Sequence, residues 1–196
     1  MPTASCITRT DVTYTVRMKV EHFAHPPRNI AALGIVPGMS VADFGSGSGA
    51  YVLLIAETLA NTGHVYAVDV QKDLLRRTYN EARRRGFHNV AVLWGDLERP
   101  AGSKLAEKAV DLVLVSNLLF QVPEKDAIFA EAYRVLKPGG RLAVIDWTDS
   151  FGGIGPRPED VFPEAAARTV AERAGFSYQT DFIAGAHHYG LIFKRT

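Results

Sequence analysis

Apolar and polar positions along this chain follow two rhythms, and the switches between them mark out a regular succession of elements from Pro26 onward. Short, nearly continuous apolar runs over residues 41–44, 64–70, 90–94, 110–115 and 141–147 read as buried strands. Between them, apolar residues recur at the spacing of helices that cover a sheet. Residues 50–60 set Val52, Leu53, Ile55, Ala56 and Leu59 on one face. A second helix is expected over 71–85, closed by Gly86, and others over 123–136 and 163–174. Turn chemistry agrees: Asn61-Thr62-Gly63 supplies the glycine expected past a helix end, and Lys137-Pro138-Gly139-Gly140 stops the helix before it. The last two strands, 176–183 and 189–194, are separated by residues 184–188 alone. That is too short for a crossover, so they form an antiparallel hairpin.

The central runs are apolar on both faces, as in parallel strands sandwiched between helices. The fold class is therefore α/β: a Rossmann-like, seven-stranded, mostly parallel sheet with an antiparallel last strand and helices on both faces. Residues 26–196 form one domain, and 1–25 an N-terminal arm or extra strand. Within the arm, Val12, Tyr14, Val16, Met18 and Val20 alternate with Thr13, Thr15, Arg17 and Lys19, a one-sided strand pattern. It reads as cover for a sheet edge or a loosely ordered arm; the alternative is a lid or dimer contact. The stretch 148–158, with Gly152, Gly153, Gly155, Pro156 and Pro158, is the expected flexible loop.

Composition narrows the class. The 196 residues suit a single domain, and 47% apolar with 22% charged residues is ordinary for a globular protein. A net charge of +1 gives no overall reason to bind nucleic acid or an anionic membrane. The single cysteine, Cys6, excludes an intrachain disulfide and a cysteine-cluster metal site, and the six histidines show no metal-ligand spacing. No metal is expected. No apolar run reaches the length of a membrane span, and Arg9, Asp11 and Arg17 interrupt any signal-peptide core. The expectation is a cytoplasmic protein without membrane insertion. No sequence feature sets an oligomeric state.

Chemistry gathers at strand ends. In open parallel sheets ligands bind at the carboxyl edge, near the point where strand order reverses. There the first strand delivers Val41-Ala42-Asp43-Phe44-Gly45-Ser46-Gly47-Ser48-Gly49-Ala50-Tyr51, an acidic residue followed by three alternate glycines that open a helix. Such glycines let a ligand sit against bare main chain. Asp43 repels a pyrophosphate but pairs with an ammonium group, which points to a nucleoside with a cationic tail, S-adenosylmethionine. The second strand delivers Asp69 and Val70, the carboxylate suited to two ribose hydroxyls. The third delivers Gly95-Asp96-Leu97, suited to an adenine amino group. Ser116 and Asn117 follow the fourth strand, and Asp146 and Trp147 end the fifth. His187 and His188 arrive at the same edge in the final hairpin. Candidate bases are His187, His188 and Asp146. His187 is preferred, since neighbouring strand residues point to opposite faces and only one histidine meets the acceptor. Trp147 shapes the pocket with Asn117, and His22 and Phe23 are candidates to fold over it.

With these residues in hand, the chain resembles a class I S-adenosylmethionine-dependent methyltransferase of the small ubiquinone/menaquinone type. The carriers are the glycine segment 41–49, Val65-Tyr66-Ala67-Val68-Asp69, Gly95-Asp96, Val110-Asp111-Leu112-Val113-Leu114-Val115 and Leu136-Lys137-Pro138-Gly139-Gly140-Arg141-Leu142, spread over residues 26–194. The resemblance implies that the glycine loop holds the cofactor's methionine end, Asp69 its ribose and Asp96 its adenine.

Rival readings have their own residues. Gly45-Ser46-Gly47-Ser48-Gly49-Ala50 also satisfies a loose dinucleotide fingerprint, and Tyr133 with Lys137 spells the Tyr-x-x-x-Lys of short-chain dehydrogenases. Pro138 directly after Lys137 puts that pair at the amino edge of the sheet, away from the glycines. Lys72, Arg76, Arg77, Arg83, Arg84 and Arg85 make the second helix basic. A nucleic-acid or protein substrate would use it; a solvated helix face explains it equally. The acceptor is expected to be a small molecule. An RNA- or protein-directed methyltransferase and a non-catalytic cofactor-binding protein are the alternatives.

Overall fold

The computed structural model describes residues 24–196, apart from residues 152 and 154. The strand expected over 11–20, together with His22 and Phe23, lies outside the described residues. Helix α1 (Pro26–Ala32) leads into β1 (Ser40–Phe44), α2 (Ala50–Leu59), β2 (His64–Asp69), α3 (Lys72–Arg84), β3 (Val90–Trp94) and β4 (Val110–Ser116). Then come α4 (Lys125–Val135), β5 (Leu136–Trp147), a short 3₁₀ turn (Pro158–Asp160), α5 (Glu164–Arg173), β6 (Phe176–Gly185) and β7 (His188–Arg195). One sheet holds all seven strands in the order β3-β2-β1-β4-β5-β7-β6. Pairings among β1 to β5 are parallel, and β7 runs antiparallel between β5 and β6. The α/β architecture and its closing hairpin match the sequence reading.

Two apolar layers hold the sheet. On one face Val41, Val65, Leu112, Leu114, Ala143 and Ile145 pack with Ile30 of α1 and Leu33 just after it, Val52 and Ile55 of α2, and Leu75 and Ala82 of α3. On the other, Ala42, Phe44, Val113, Val115, Leu142 and Val144 pack with Ile128 and Phe129 of α4 and Ala167 and Val170 of α5. Residues of one strand divide between the faces by the two-residue period of the strand. Each fully buried Phe or Leu removes enough apolar surface to contribute about 1.5–3 kcal/mol.

Element ends depart from expectation in instructive ways. Helix α2 leaves through left-handed Ala60 and Asn61, with φ of 48° and 60°, not through Gly63. Gly63 answers a different need, since a Cβ there would stand 2.0 Å from the Met39 carbonyl oxygen. That carbonyl accepts the His64 N–H at 3.0 Å, so the close approach sets β2 beside β1. Helix α4 starts at Lys125, two residues after Pro123. Strand β5 takes in the segment expected to be only a stop, its pairing with β4 shifting register between Val110 and Leu112. The final turn is tighter than predicted, with Ala186 and His187 alone between β6 and β7.

Candidate functional site

Strand order reverses between β1 and β4, and a cavity of about 290 Å³ opens at their carboxyl ends. Gly45, Gly47, Asp69, Val70, Gln71, Gly95, Asp96, Leu97, Glu98, Leu118, Gln121 and Val122 line it. Gly45, Gly47 and Gly49 all have positive φ, between 51° and 80°. A Cβ on Gly47 would find only the Gly45 carbonyl, at 3.9 Å, so the loop presents open main chain to the cavity. The loop is braced by Asp69, whose carboxylate accepts the Gly47 N–H and the Gln71 N–H, each at 2.8 Å. Asp69 thus starts α3 and faces the cavity at once, and its two oxygens retain further lone pairs. Asp96 accepts the Glu98 N–H at 3.1 Å and is half exposed. Val70, 57% exposed, and buried Leu97 give the cavity two apolar walls.

Asp43 lies deeper, 2% exposed on the α1–α3 face of β1. Burial, reinforced by the nearby Asp69 carboxylate, raises its pKa to about 7. A carboxylate so desolvated is held for a cation or a proton. Close by, the Asn29 amide donates to the Tyr51 hydroxyl at 2.9 Å and to the Ala184 carbonyl at 3.0 Å. Tyr51 stands beside Ser116 and within the field of Asp43. Asn117 is left-handed (φ 53°), and its side-chain oxygen is buried without a partner among the described residues, as is the Ser46 hydroxyl.

The acid and histidines beyond this cavity separate into distinct roles. Asp146 is fully buried and held by amides: it accepts the Leu119 N–H and the Trp147 N–H, each at 2.9 Å. Burial raises its pKa to about 6 although these amides oppose the rise. With both oxygens so engaged, it ties the loop after β4 to the end of β5. His187 Nδ1 meets Asp149 Oδ1 at 2.7 Å, and its ring stacks on Phe151 at 4.1 Å. His188 begins β7, is 3% exposed, and packs its ring 4.2 Å from the indole of Trp147. Burial lowers its pKa to about 4, with His187 adding to the drop, so the imidazole is neutral at physiological pH.

Other predicted roles divide in the same way. Tyr133 and Lys137 lie at the opposite edge, the tyrosine donating to the Thr196 carbonyl and the lysine pairing with Asp111 at 2.7 Å. On α3, Arg84 and Arg85 share Glu81, Arg76 pairs with Asp73, and Lys72 sits 4.0 Å over the Trp94 ring. Sequence reasoning missed Gln71, Glu98, Leu118, Gln121 and Val122 on the cavity wall. The last three follow Asn117 at once, so counting on from the end of β4 would have found them. Asp149 carried no such signal; only the folded hairpin brings it to His187.

These residues define a class of protein, one whose glycine cradle and two strand-end carboxylates face a nucleoside-sized cavity, with a buried acid at the end of the strand that leads into the cradle. S-adenosylmethionine fits this donor set: open main chain at Gly47, a buried carboxylate with no cationic partner among the described residues for an ammonium, and apolar walls for a base. The chain belongs to the class I S-adenosylmethionine-dependent methyltransferases, and the family model described as "Methyltransferase domain" matches residues 35–176. Among its relatives, the demethylmenaquinone methyltransferase of Listeria welshimeri is 32% identical over 166 residues, spanning 80% of this chain and 69% of that protein. The arsenite methyltransferase of Halobacterium salinarum is 31% identical over 135 residues, 69% of this chain but 32% of that protein. The chain spans about a third of the length of the arsenite methyltransferases it matches. A crystal structure of an S-adenosylmethionine-dependent methyltransferase from Aquifex aeolicus superposes with a TM-score of 0.80 at 26% identity, covering 93% of this chain and 98% of that one.

Proposed function

We propose that this protein transfers a methyl group from S-adenosylmethionine to a small-molecule acceptor. The observation that carries the reading is Asp43, a carboxylate buried at the end of β1 beside a bare glycine cradle, with no cation to meet it among the described residues. In this reading Asp43 takes the cofactor's ammonium, Asp69 its ribose hydroxyls and Asp96 its adenine amino group, between the walls of Val70 and Leu97. Ser46, Ser116, Asn117 and Tyr51 line the methionine end. Bound there, the cofactor would supply a methyl group on a sulfonium sulfur, activated for displacement by a lone pair of the acceptor.

The chain's own work is to exclude water, align the acceptor and receive its proton. His187 is our candidate base: its Nδ1–H donates to Asp149, which leaves Nε2 to accept the proton. Asp146, its oxygens occupied by amides, supports Trp147 and the loop after β4. A nucleic-acid or protein acceptor has less support, because arginines of α3 are engaged by acids on the same helix. Arsenite is disfavoured too, since soft trivalent arsenic seeks thiolates and these residues include one cysteine. No helix among the described residues is long and apolar enough to cross a membrane, and we infer a cytoplasmic location.

Calorimetry with S-adenosylmethionine, S-adenosylhomocysteine and a nicotinamide dinucleotide tests the cofactor, and labelled methyl transfer to metabolite, RNA and protein pools tests the acceptor. The reading expects the two adenosyl compounds to bind and label to enter the metabolite pool. Uptake of the dinucleotide alone would reject it.

A further inference from the structure

Four residues at neighbouring strand ends share one face of the sheet. Asp43 of β1, Ser116 of β4, Trp147 of β5 and His188 of β7 each lie two residues on from a side chain in the layer packed by α1, α2 and α3, or from Gly190 in the same phase. The row runs from the cofactor cavity towards the final hairpin. At its far end both ring nitrogens of His188 are buried without a partner among the described residues. A neutral imidazole always carries one donor and one acceptor, so two hydrogen-bonding groups stand unmet by the described residues. Native interiors rarely leave such groups without a reason. Packing does not supply one, since the tilted contact with Trp147 needs only a flat ring, and Gly155 sits on the same indole so closely that a Cβ would come within 2.7 Å. Asn29, reaching from α1 to the Ala184 carbonyl of this hairpin, also leaves its side-chain oxygen without a partner among the described residues.

We propose that His188 is the hydrogen-bonding contact for the methyl acceptor, and that this subsite admits an uncharged molecule carrying an O–H or N–H group. The inference rests on the methyl-transfer reading and gives its acceptor a chemical class. Asp43 is the charged member of the row, and in that reading the cofactor's ammonium neutralises it. His188 is itself held neutral by burial. His187 and Asp149 meet at the rim, where the aspartate side chain is 55% exposed. Glu164 and Asp181, which line the cavity beside His188, are both paired with Arg168, so a charged acceptor head would meet no unpaired counter-charge there, whereas a neutral donor–acceptor group would satisfy the imidazole.

His188→Phe in the full chain keeps an aromatic ring against Trp147 and removes both nitrogens. Its melting temperature is expected to rise by roughly 2–4 °C, because two unmet polar atoms leave the interior. Calorimetric affinity for S-adenosylhomocysteine should stay within about twofold, while methyl label entering the small-molecule pool falls about 100-fold or more. His188→Gln, which restores a donor and an acceptor, should recover part of that loss. On ion-exchange resins at neutral pH the labelled product is expected in the unbound fraction. A lower melting temperature for His188→Phe, undiminished transfer, lost S-adenosylhomocysteine binding, or label confined to charged products each overturns the proposal alone. A wild-type chain that binds S-adenosylhomocysteine yet labels no small molecule overturns the methyl-transfer reading along with it.

Discussion

At the scale of single residues, Asp43 links protonation to ligand binding. Its folded pKa, about 7 against an ordinary 3.8, means the native state holds a proton that the unfolded chain has released between those values. Stability without ligand therefore falls as pH rises from about 4 to 7, and Asp43→Asn should raise the melting temperature at pH 8. Affinity for S-adenosylmethionine follows the opposite course, since its ammonium needs the bare carboxylate. Calorimetry from pH 5.5 to 8.5 should show affinity falling about tenfold per unit below pH 7, with the slope abolished in Asp43→Asn. A flat profile in the wild type would show that Asp43 does not face the ammonium. Asp69 and Asp96 should not weigh equally. Asp69→Ala removes both a ligand contact and the brace on Gly47, whereas exposed Asp96 has water to replace what it loses. Losses of about 100-fold and about fivefold in S-adenosylhomocysteine affinity are expected, in that order.

At the scale of elements, local pattern and tertiary contact divide the information. Gly63→Ala should cost about 1–3 kcal/mol, seen as a lower melting temperature with ligand affinity unchanged, because the Met39 carbonyl cannot yield without disturbing the start of β2. Sequence alone gives that glycine a turn's reason, while the folded chain gives it a packing one. Strands and helices were legible because apolar runs such as Val110–Ser116 and the spaced apolar face of α2 carry their own periodicity. The glycine loop and the acids at the ends of β1, β2 and β3 were legible because strand order projects them to one edge. Helix starts, the extension of β5 and the two-residue hairpin turn were not, since pairing across strands decides them. Nor was the difference between the two histidines, which depends on where Asp149 and Trp147 fall in space.

At the scale of the whole molecule, ligand binding at the sheet's edge is expected to stabilise everything beneath it. S-adenosylhomocysteine at about 100 times its dissociation constant should raise the melting temperature by roughly 5–10 °C, read by calorimetric scanning, and a nicotinamide dinucleotide should leave it unmoved. A dinucleotide that shifts the transition while S-adenosylhomocysteine does not would contradict the cofactor assignment. One carboxylate gives this edge a particular mechanical character. Asp146 fastens Leu119, next to the nucleoside chamber's wall at Leu118, and Trp147, which flanks His188, to a single rigid side chain. The cavity wall and the aromatic contact beside His188 are consequently pinned together from inside the protein. A displacement of residues 118–122 on filling the cavity is expected to reach the Trp147 backbone through these two hydrogen bonds.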